Sequence, residues 1–293
     1  MSDPRLPLVS VIIPVKNEGE NVRSTIDSAF QVKNYHPFEI IVVDDGSTDE
    51  GCQFLQGIKN KPVRLLTTHG IGAAAARNLG AEHARGDFFV FCDAHLFFQN
   101  YWLDHLVGLL KTGLADAVSP GIASTHRPNQ VGFGQTLNRT LGVQWNRDVK
   151  APAPAAILPG GCLAIGRETF FDVGGFDRGF HVWGFEDVEL SIKLWLFGYT
   201  CYVHPVVKVL HLFRQSHPYT VTFDHVYYNM LRMAYSHFNE NRIAACKQLI
   251  QHADAARIEA AVLADGVLEQ RQHYFARRKH DDDWFMRRFG IPF

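Results

Sequence analysis

Asp93 and His95 stand on either side of one alanine, directly after the apolar run FFVFC. If that run ends as an extended strand, alternation puts both side chains on one side. A carboxylate oxygen beside an imidazole nitrogen suits a divalent ion such as Mn²⁺ or Mg²⁺, and Ala94 leaves room for a large ligand. Two protein ligands leave coordination positions that nucleotide phosphate oxygens can fill, where a metal neutralises a departing diphosphate. His211, in VLHLFR at the end of a later apolar run, is a third candidate ligand, and Arg214 could reach the same phosphates. Either histidine would serve equally well as a structural residue.

A second group follows at Gly160-Gly161-Cys162, Gly174-Gly175 and HVWGFED. Paired glycines permit close backbone approach to a ligand. Glu186 and Asp187 open a segment whose apolar positions are Val188, Ile192 and Trp195. Acids there complement a helix macrodipole without any chemistry. Beside a metal–diphosphate site, a carboxylate is also what an acceptor hydroxyl needs as general base.

These groups need a scaffold that brings distant segments to one edge. From residue 8 to about 92, short β-branched runs (LVSVIIPV, FEIIVVD, VRLLTT, DFFVFCD) alternate with amphipathic stretches: one near 19 to 32, one after Ser47, and one from Gly72 to Arg85. That alternation predicts a doubly wound α/β sheet covered on both faces. Ligands of such sheets bind at the carboxyl ends of the strands, here PVKNE, DDGS, HGIG and DAH. Asp44 or Asp45 could merely cap the next helix, and Gly70 and Gly72 could be only a turn.

From Gly113 to Arg214 the same sheet is expected to continue through ADAVSP, AILPGGCLAIG, TCYVHP and VVKVLHLF, with helices at QNYWLDHLVGLLK and EDVELSIKLWLFG and an excursion near 121 to 157. Beyond about 220 the pattern is helical to 288. The division expected is a catalytic domain over 1–218 and a helical extension over 219–293, packed on it. With Tyr227, Tyr228, Arg232, Tyr235 and His237, that extension reads as an acceptor-side cover or a homodimer contact. The loop around His217 and Tyr219 reads as a lid over bound nucleotide.

Composition narrows the classes. The 293 residues carry 29 Lys plus Arg against 30 Asp plus Glu, a net charge of −1, so nothing global draws the chain to nucleic acid. Five scattered cysteines without C-x-x-C spacing predict neither a disulfide framework nor a zinc finger. The apolar start is interrupted by Lys16 and Glu18, too early for an integral membrane segment and without a signal-peptide pattern. A cytoplasmic location is the default expectation.

VSVIIPVKNE, VVDDGSTD, GAAAARNLGA, the D-x-D-like Asp93-Ala94-His95, the Gly-Gly turn and the Glu-Asp pair occur in the order used by GT-A glycosyltransferases of family 2, which the chain resembles over about residues 8 to 214. CDAH, WGFEDVELS and VLHLFR are also similar to the D-x-H, WGGEN-x-E-x-S and V-x-H-x-F-R elements of polypeptide N-acetylgalactosaminyltransferases. The resemblance implies a Rossmann-like GT-A fold with a mixed sheet, and Mn²⁺ held with UDP by Asp93, His95 and His211. It implies that Asp45 contacts uracil or ribose, that Pro14, Lys16, Glu18 and Arg77 complete the nucleotide pocket, and that Trp183 and the Gly160-Gly161 backbone flank the donor sugar. Asp187 matches the base of inverting family 2 enzymes, whereas the mucin-type enzymes retain configuration and have Asn there.

The expected activity is metal-dependent transfer of a sugar from a UDP-sugar to a hydroxyl, or a thiol, of a soluble acceptor, with inversion through Asp187. The soluble acceptor is expected among peptides, small molecules and glycans. The alternatives are a retaining transferase acting on a peptide and an NAD-dependent oxidoreductase, since VRLLTTHGIGAAAARN supplies a strand, G-x-G-x-x-A and a helix. A nucleotidyltransferase would want a Gly-rich basic loop after the first strand, which PVKNEGEN is not. A non-catalytic sugar-binding module would not need the whole metal and acid set.

Overall fold

A computed structural model describes residues 6–58 and 61–293. Residues 1–5, part of the start read as free of a targeting pattern, lie outside the described residues. Strands β1 (Val9–Val15), β2 (Phe38–Asp44), β3 (Val63–Thr67) and β4 (Phe88–Cys92) alternate with helices α1 (Asn21–Gln31) and α2 (Ala73–His83). All their pairings are parallel, in the order β4-β1-β2-β3. The runs are near-continuously apolar because both faces are covered: Ile12, Ile41 and Val43 join one apolar cluster, while Val11, Ile13, Ile40 and Val42 join the other.

The chain continues through β5 (Leu96–Phe97), α3 (Trp102–Lys111), β6 (Ala117–Ser124), β7 (Arg127–Gly132), β8 (Gln135–Leu137), β9 (Val143–Trp145), β10 (Ala153–Pro154), β11 (Cys162–Gly166), α4 (Arg167–Asp172), α5 (Glu186–Leu196) and β12 (Cys201–His211). The sheet order is β10-β12-β6-β11-β4-β1-β2-β3, with β5 on β12 and β7 on β6. Because β11 runs antiparallel to both β4 and β6 while β12 is parallel to β6, the sheet is mixed. The excursion near 121 to 157 forms the β6–β7 hairpin and a separate β8–β9 pair.

Four local expectations are corrected. After Ser47 there is only a 3₁₀ turn, Gln53–Gly57, because the Asp49 carboxylate accepts from Gly19 N (2.8 Å) and Gly51 N (3.2 Å) and gives the backbone an alternative to helix. In AILPGGCLAIG only Cys162–Gly166 is strand, since Pro159 and the paired glycines cannot sustain a ladder. TCYVHP and VVKVLHLF are one strand whose register shifts between His204 and Lys208, around Pro205, which has no N–H to donate. Finally, residues 93–95 are a bend between β4 and β5, not a strand end.

Helices α6 (Phe223–His237), α7 (Glu240–Gln248), α8 (Ala255–Ala264), α9 (Val267–Arg277) and α10 (Asp282–Phe289) follow. Their buried side chains, among them Leu231, Phe238 and Phe285, belong to the same apolar cluster as Trp195 on α5. Buried charge joins them too: Lys193 donates to Gly175 O (2.6 Å) and Glu189 (3.2 Å), and His237 on α6 bonds to Glu189 (2.8 Å). Leaving any one of these three unpaired in the interior would cost several kcal/mol, roughly 3 to 5, so α5 and α6 are held as a unit. No helix among the described residues is long and apolar enough to cross a membrane.

Candidate active site

The carboxyl ends of β1, β2 and β4 converge with the end of β12 on a cleft of about 400 Å³. Pro14, Lys16, Glu18, Asp45, Arg77, Asp93, His95, Trp183, His211 and Arg214, all singled out from the sequence, line it. Gly160, Gly161, Glu186 and Asp187 adjoin that lining, each close to a lining residue or to one another.

Asp93 and His95 do share one side, but a bend brings them together. The Asp93 N–H donates to Gly161 O (3.0 Å), and Leu212 N donates to His95 O (3.1 Å), so β12 delivers His211 beside both. His211 Nε2 lies 3.2 Å and His95 Nε2 4.0 Å from Asp93 Oδ2, and the three ligand atoms fall within 4.8 Å of one another. Glu18 Oε2 is 3.1 Å from His95 Nδ1, which puts the proton on Nδ1 and leaves Nε2 free for a metal. Arg214 pairs with the same Glu18. Burial pushes the Asp93 carboxyl up, but the His211 hydrogen bond, His95 and Arg77 outweigh it and hold Asp93 well below the usual carboxylate range. Gly161 packs closely here: a Cβ would lie 3.2 Å from His211 Cδ2 and 3.4 Å from Asp93 Oδ2, so a side chain would press on the His211 ring.

Arg77, buried on α2, links the two acidic groups. Its Nη2 donates to Asp93 (3.1 Å) and its Nη1 to Glu186 (3.2 Å). Asp187 turns toward the paired glycines, accepting from Gly160 N (2.7 Å) and Val188 N (2.8 Å). Burial, and then the neighbouring Glu186, push its carboxyl up to about 6 against those hydrogen bonds and Arg77. The helix they open is buried almost all round from Val188 to Leu196, more than the single apolar face read from sequence.

Asp45 is an organiser of the loop after β3. Its carboxylate accepts from Thr68 Oγ1 (2.5 Å), Ile71 N (2.6 Å) and Gly72 N (2.9 Å), while Lys16 donates to its carbonyl (3.0 Å). The segment after Arg214 forms a roof: the His217 ring rests on Trp183 (4.4 Å), Lys16 lies over the Tyr219 ring (5.8 Å), and Asn17 donates to Pro218 O (3.2 Å).

Two contributors escaped sequence reasoning. Phe213 lines the cleft and packs on the His211 ring (4.1 Å). Asn229, fully buried on α6, accepts from His181 N (2.7 Å) and donates to His181 O, Trp183 O and Gly184 O (2.8, 3.3 and 2.9 Å). It fastens a turn in which Val182 (φ 44°) and Phe185 (φ 66°) adopt left-handed backbone. The signal for Phe213 was its place as the aromatic of the H-x-F element in VLHLFR; a lone asparagine in an amphipathic helix carries none.

Comparisons with known proteins agree with this architecture. The chain is 34% identical over 231 residues to polypeptide N-acetylgalactosaminyltransferase 8 of Drosophila melanogaster, covering 72% of this chain and 39% of that protein. It is 31% identical to polypeptide N-acetylgalactosaminyltransferase 3 of the same organism, over 73% of this chain and 36% of the relative. It thus spans less than half the length of these curated relatives. The crystal structure of GalNAc-T7 with UDP, GalNAc and Mn²⁺ superposes with a TM-score of 0.76 at 21% identity, covering 98% of this chain and 57% of the other, which shows the GT-A fold. Residues 145–219 match the model described as the N-terminal domain of galactosyltransferase. Residues 10–170, more than half the chain, match the glycosyl transferase family 2 model and include the β1, β2 and β4 ends of the cleft, so the chain belongs to this family.

Proposed function

We propose that the protein is a Mn²⁺-dependent glycosyltransferase that moves a sugar from a UDP-sugar to a side-chain hydroxyl of a peptide, with retention of configuration. The observation that carries this reading is the Asp93, His95 and His211 cluster in the cleft floor. One carboxylate and two imidazoles fit Mn²⁺, and Glu18 already fixes the His95 tautomer that ligation needs. A bound ion supplies charge neutralisation to the leaving diphosphate. Lys16 and Arg214 bring further positive charge to the cleft wall, Arg77 keeps Asp93 in place, and the Trp183 ring offers a face to a sugar.

In the transfer, the acceptor oxygen bonds to the anomeric carbon as the bond to the diphosphate breaks, and the hydroxyl proton passes to the departing phosphate oxygen. Retention is supported by the similarity to polypeptide N-acetylgalactosaminyltransferases and by Asp187 having both oxygens engaged already, one by the backbone N–H of Gly160 and one by that of Val188. The relatives' name, polypeptide N-acetylgalactosaminyltransferase, supports a peptide acceptor. Inversion is the second reading, favoured by a carboxyl raised to about 6, in the range of a general base. The dinucleotide alternative is disfavoured because Asp45 occupies the Ile71 and Gly72 N–H groups that a pyrophosphate would require.

Calorimetric titration of UDP with Mn²⁺, repeated in EDTA and with NAD⁺ as control, tests the class. Binding of UDP only with metal is expected; heat from NAD⁺ alone would replace the transferase by the oxidoreductase. The anomeric configuration of the product, read by NMR, decides the stereochemistry. We further propose a reducing, cytoplasmic setting, supported by five cysteines that are all buried and unbonded, with Cys92 and Cys162 Sγ 3.9 Å apart. Recovery of the protein only from a secretory compartment would refute that placement.

A further inference from the structure

A second cavity of about 290 Å³ opens beyond Phe213, whose ring lines both it and the cleft. It lies over the β6–β7 hairpin and the end of β9. Trp145 forms its floor by lying flat on Gly132, where a Cβ would come within 2.3 Å of the indole. The Trp145 edge meets Phe213 (6.5 Å, 87°), and Phe213 meets the metal-site histidine His211 (4.1 Å). An aromatic path therefore runs from the reacting end of the cleft into this cavity.

Its walls are basic. Arg127 and Arg147 line it with Gln130, and no acidic residue does. Among the described residues neither arginine is ion-paired, whereas Arg77, Arg214, Arg232 and Arg242 all are. Arg147 Nη1 donates to Val131 O (2.9 Å), which steadies the guanidinium and leaves its other donors available. Two unpaired guanidinium groups around an open cavity, in a chain whose net charge is −1, call for an anion with planar acceptor geometry.

Taking the transferase reading above as given, we infer that this cavity is an acceptor subsite in which Arg127 and Arg147 hold the carboxylate of an Asp or Glu near the hydroxyl to be glycosylated. An acidic peptide lying across Phe213 would place its backbone over the Trp145 platform. Acidic flanking residues would then be selected by affinity, because the contact is equally present before and during the transfer.

The test uses the Mn²⁺-loaded enzyme with a UDP-sugar and serine peptides carrying Glu, Gln or Lys at each position from one to four residues either side of the serine. At one of these positions Glu should raise kcat/KM about fivefold over Gln, mostly through KM, and rising salt should shrink the gain. In the Arg127→Gln, Arg147→Gln double variant the ratio should fall to near one, and Arg147→Glu should shift preference toward the Lys peptide. Equal rates for Glu and Gln peptides at every position, or a preference that survives in the double variant, would overturn the subsite. So would transfer to an acidic saccharide but to no peptide. Metal-dependent UDP binding is measured on the same preparations; if it is absent, the transferase reading fails first and the subsite falls with it.

Discussion

The acid at the end of β4 and the acids that open α5 share one arginine, yet they are driven in opposite directions. Asp93 gathers Arg77, His95 and His211 around its two oxygens and is held well below the ordinary range despite burial. Asp187 is pushed up to about 6 by burial and Glu186, because Arg77 spends its second nitrogen on Glu186 and reaches Asp187 only at longer range. Side-chain type is the same in both places. What separates them is the charge that the fold assembles around each, and so one suits a cation and the other does not.

The comparison is broken most severely at the β4 end. His211→Ala or His95→Ala is expected to lower Mn²⁺-stimulated turnover about a hundredfold or more, with an unchanged circular dichroism spectrum. Full activity in either variant would remove that residue from the site. The α5 end depends on the helical tail, so it should break from a distance. Asn229→Ala removes four hydrogen bonds from the 181–184 turn and is expected to lower kcat/KM about tenfold and stability by about 2 kcal/mol. Mn²⁺ affinity in that variant should be kept, since no metal-site residue touches Asn229; a parallel loss of metal binding would show that the two acidic regions are not separable.

The smallest effect on turnover is expected at Asp187. If transfer retains configuration, Asp187→Asn should cost no more than about threefold in kcat, and a loss of orders of magnitude would establish the inverting mechanism. Its signature is in stability. With a folded-state value of about 6 against an ordinary 3.8, the folded chain binds the extra proton between these values. Wild-type stability therefore falls as pH rises from about 4 to about 6, by up to about 3 kcal/mol, and Asp187→Asn should remove that part of the slope. Denaturant titrations of both proteins across that window would measure it.

Much of the strand-end cleft was legible in advance. Strand ends are marked by an apolar run that stops at a polar group, and the topology rule says that such ends meet, so Lys16, Asp45, Asp93 and His211 could be gathered on paper. The sharing of a side by Asp93 and His95 was expected from strand alternation and is produced by a bend, so the outcome held for a different reason. The helix expected after Ser47 failed because an aspartate hydrogen-bonding two nearby N–H groups outweighs a weak amphipathic pattern. The basic cavity was not foreseen, since Arg127 and Trp145 sit on short strands with little periodicity, Arg147 lies in irregular chain just past β9, and all three meet Phe213 only once the sheet has formed.

By itself the sequence determined the alternation of strands and helices, the order of the strand-end motifs and the chemical kinds of ligand available. These are local matters, set by hydrophobic period, turn residues and side-chain chemistry within a few positions. Tertiary structure alone decided which way Asp187 faces, that Glu18 would lock the His95 tautomer, that Asn229 would fasten the Trp183 turn, and that two arginines would stay unpaired. Each of these depends on the charges and hydrogen-bond partners that distant segments bring within a few ångströms, and that proximity exists only once the apolar clusters on both sheet faces have packed.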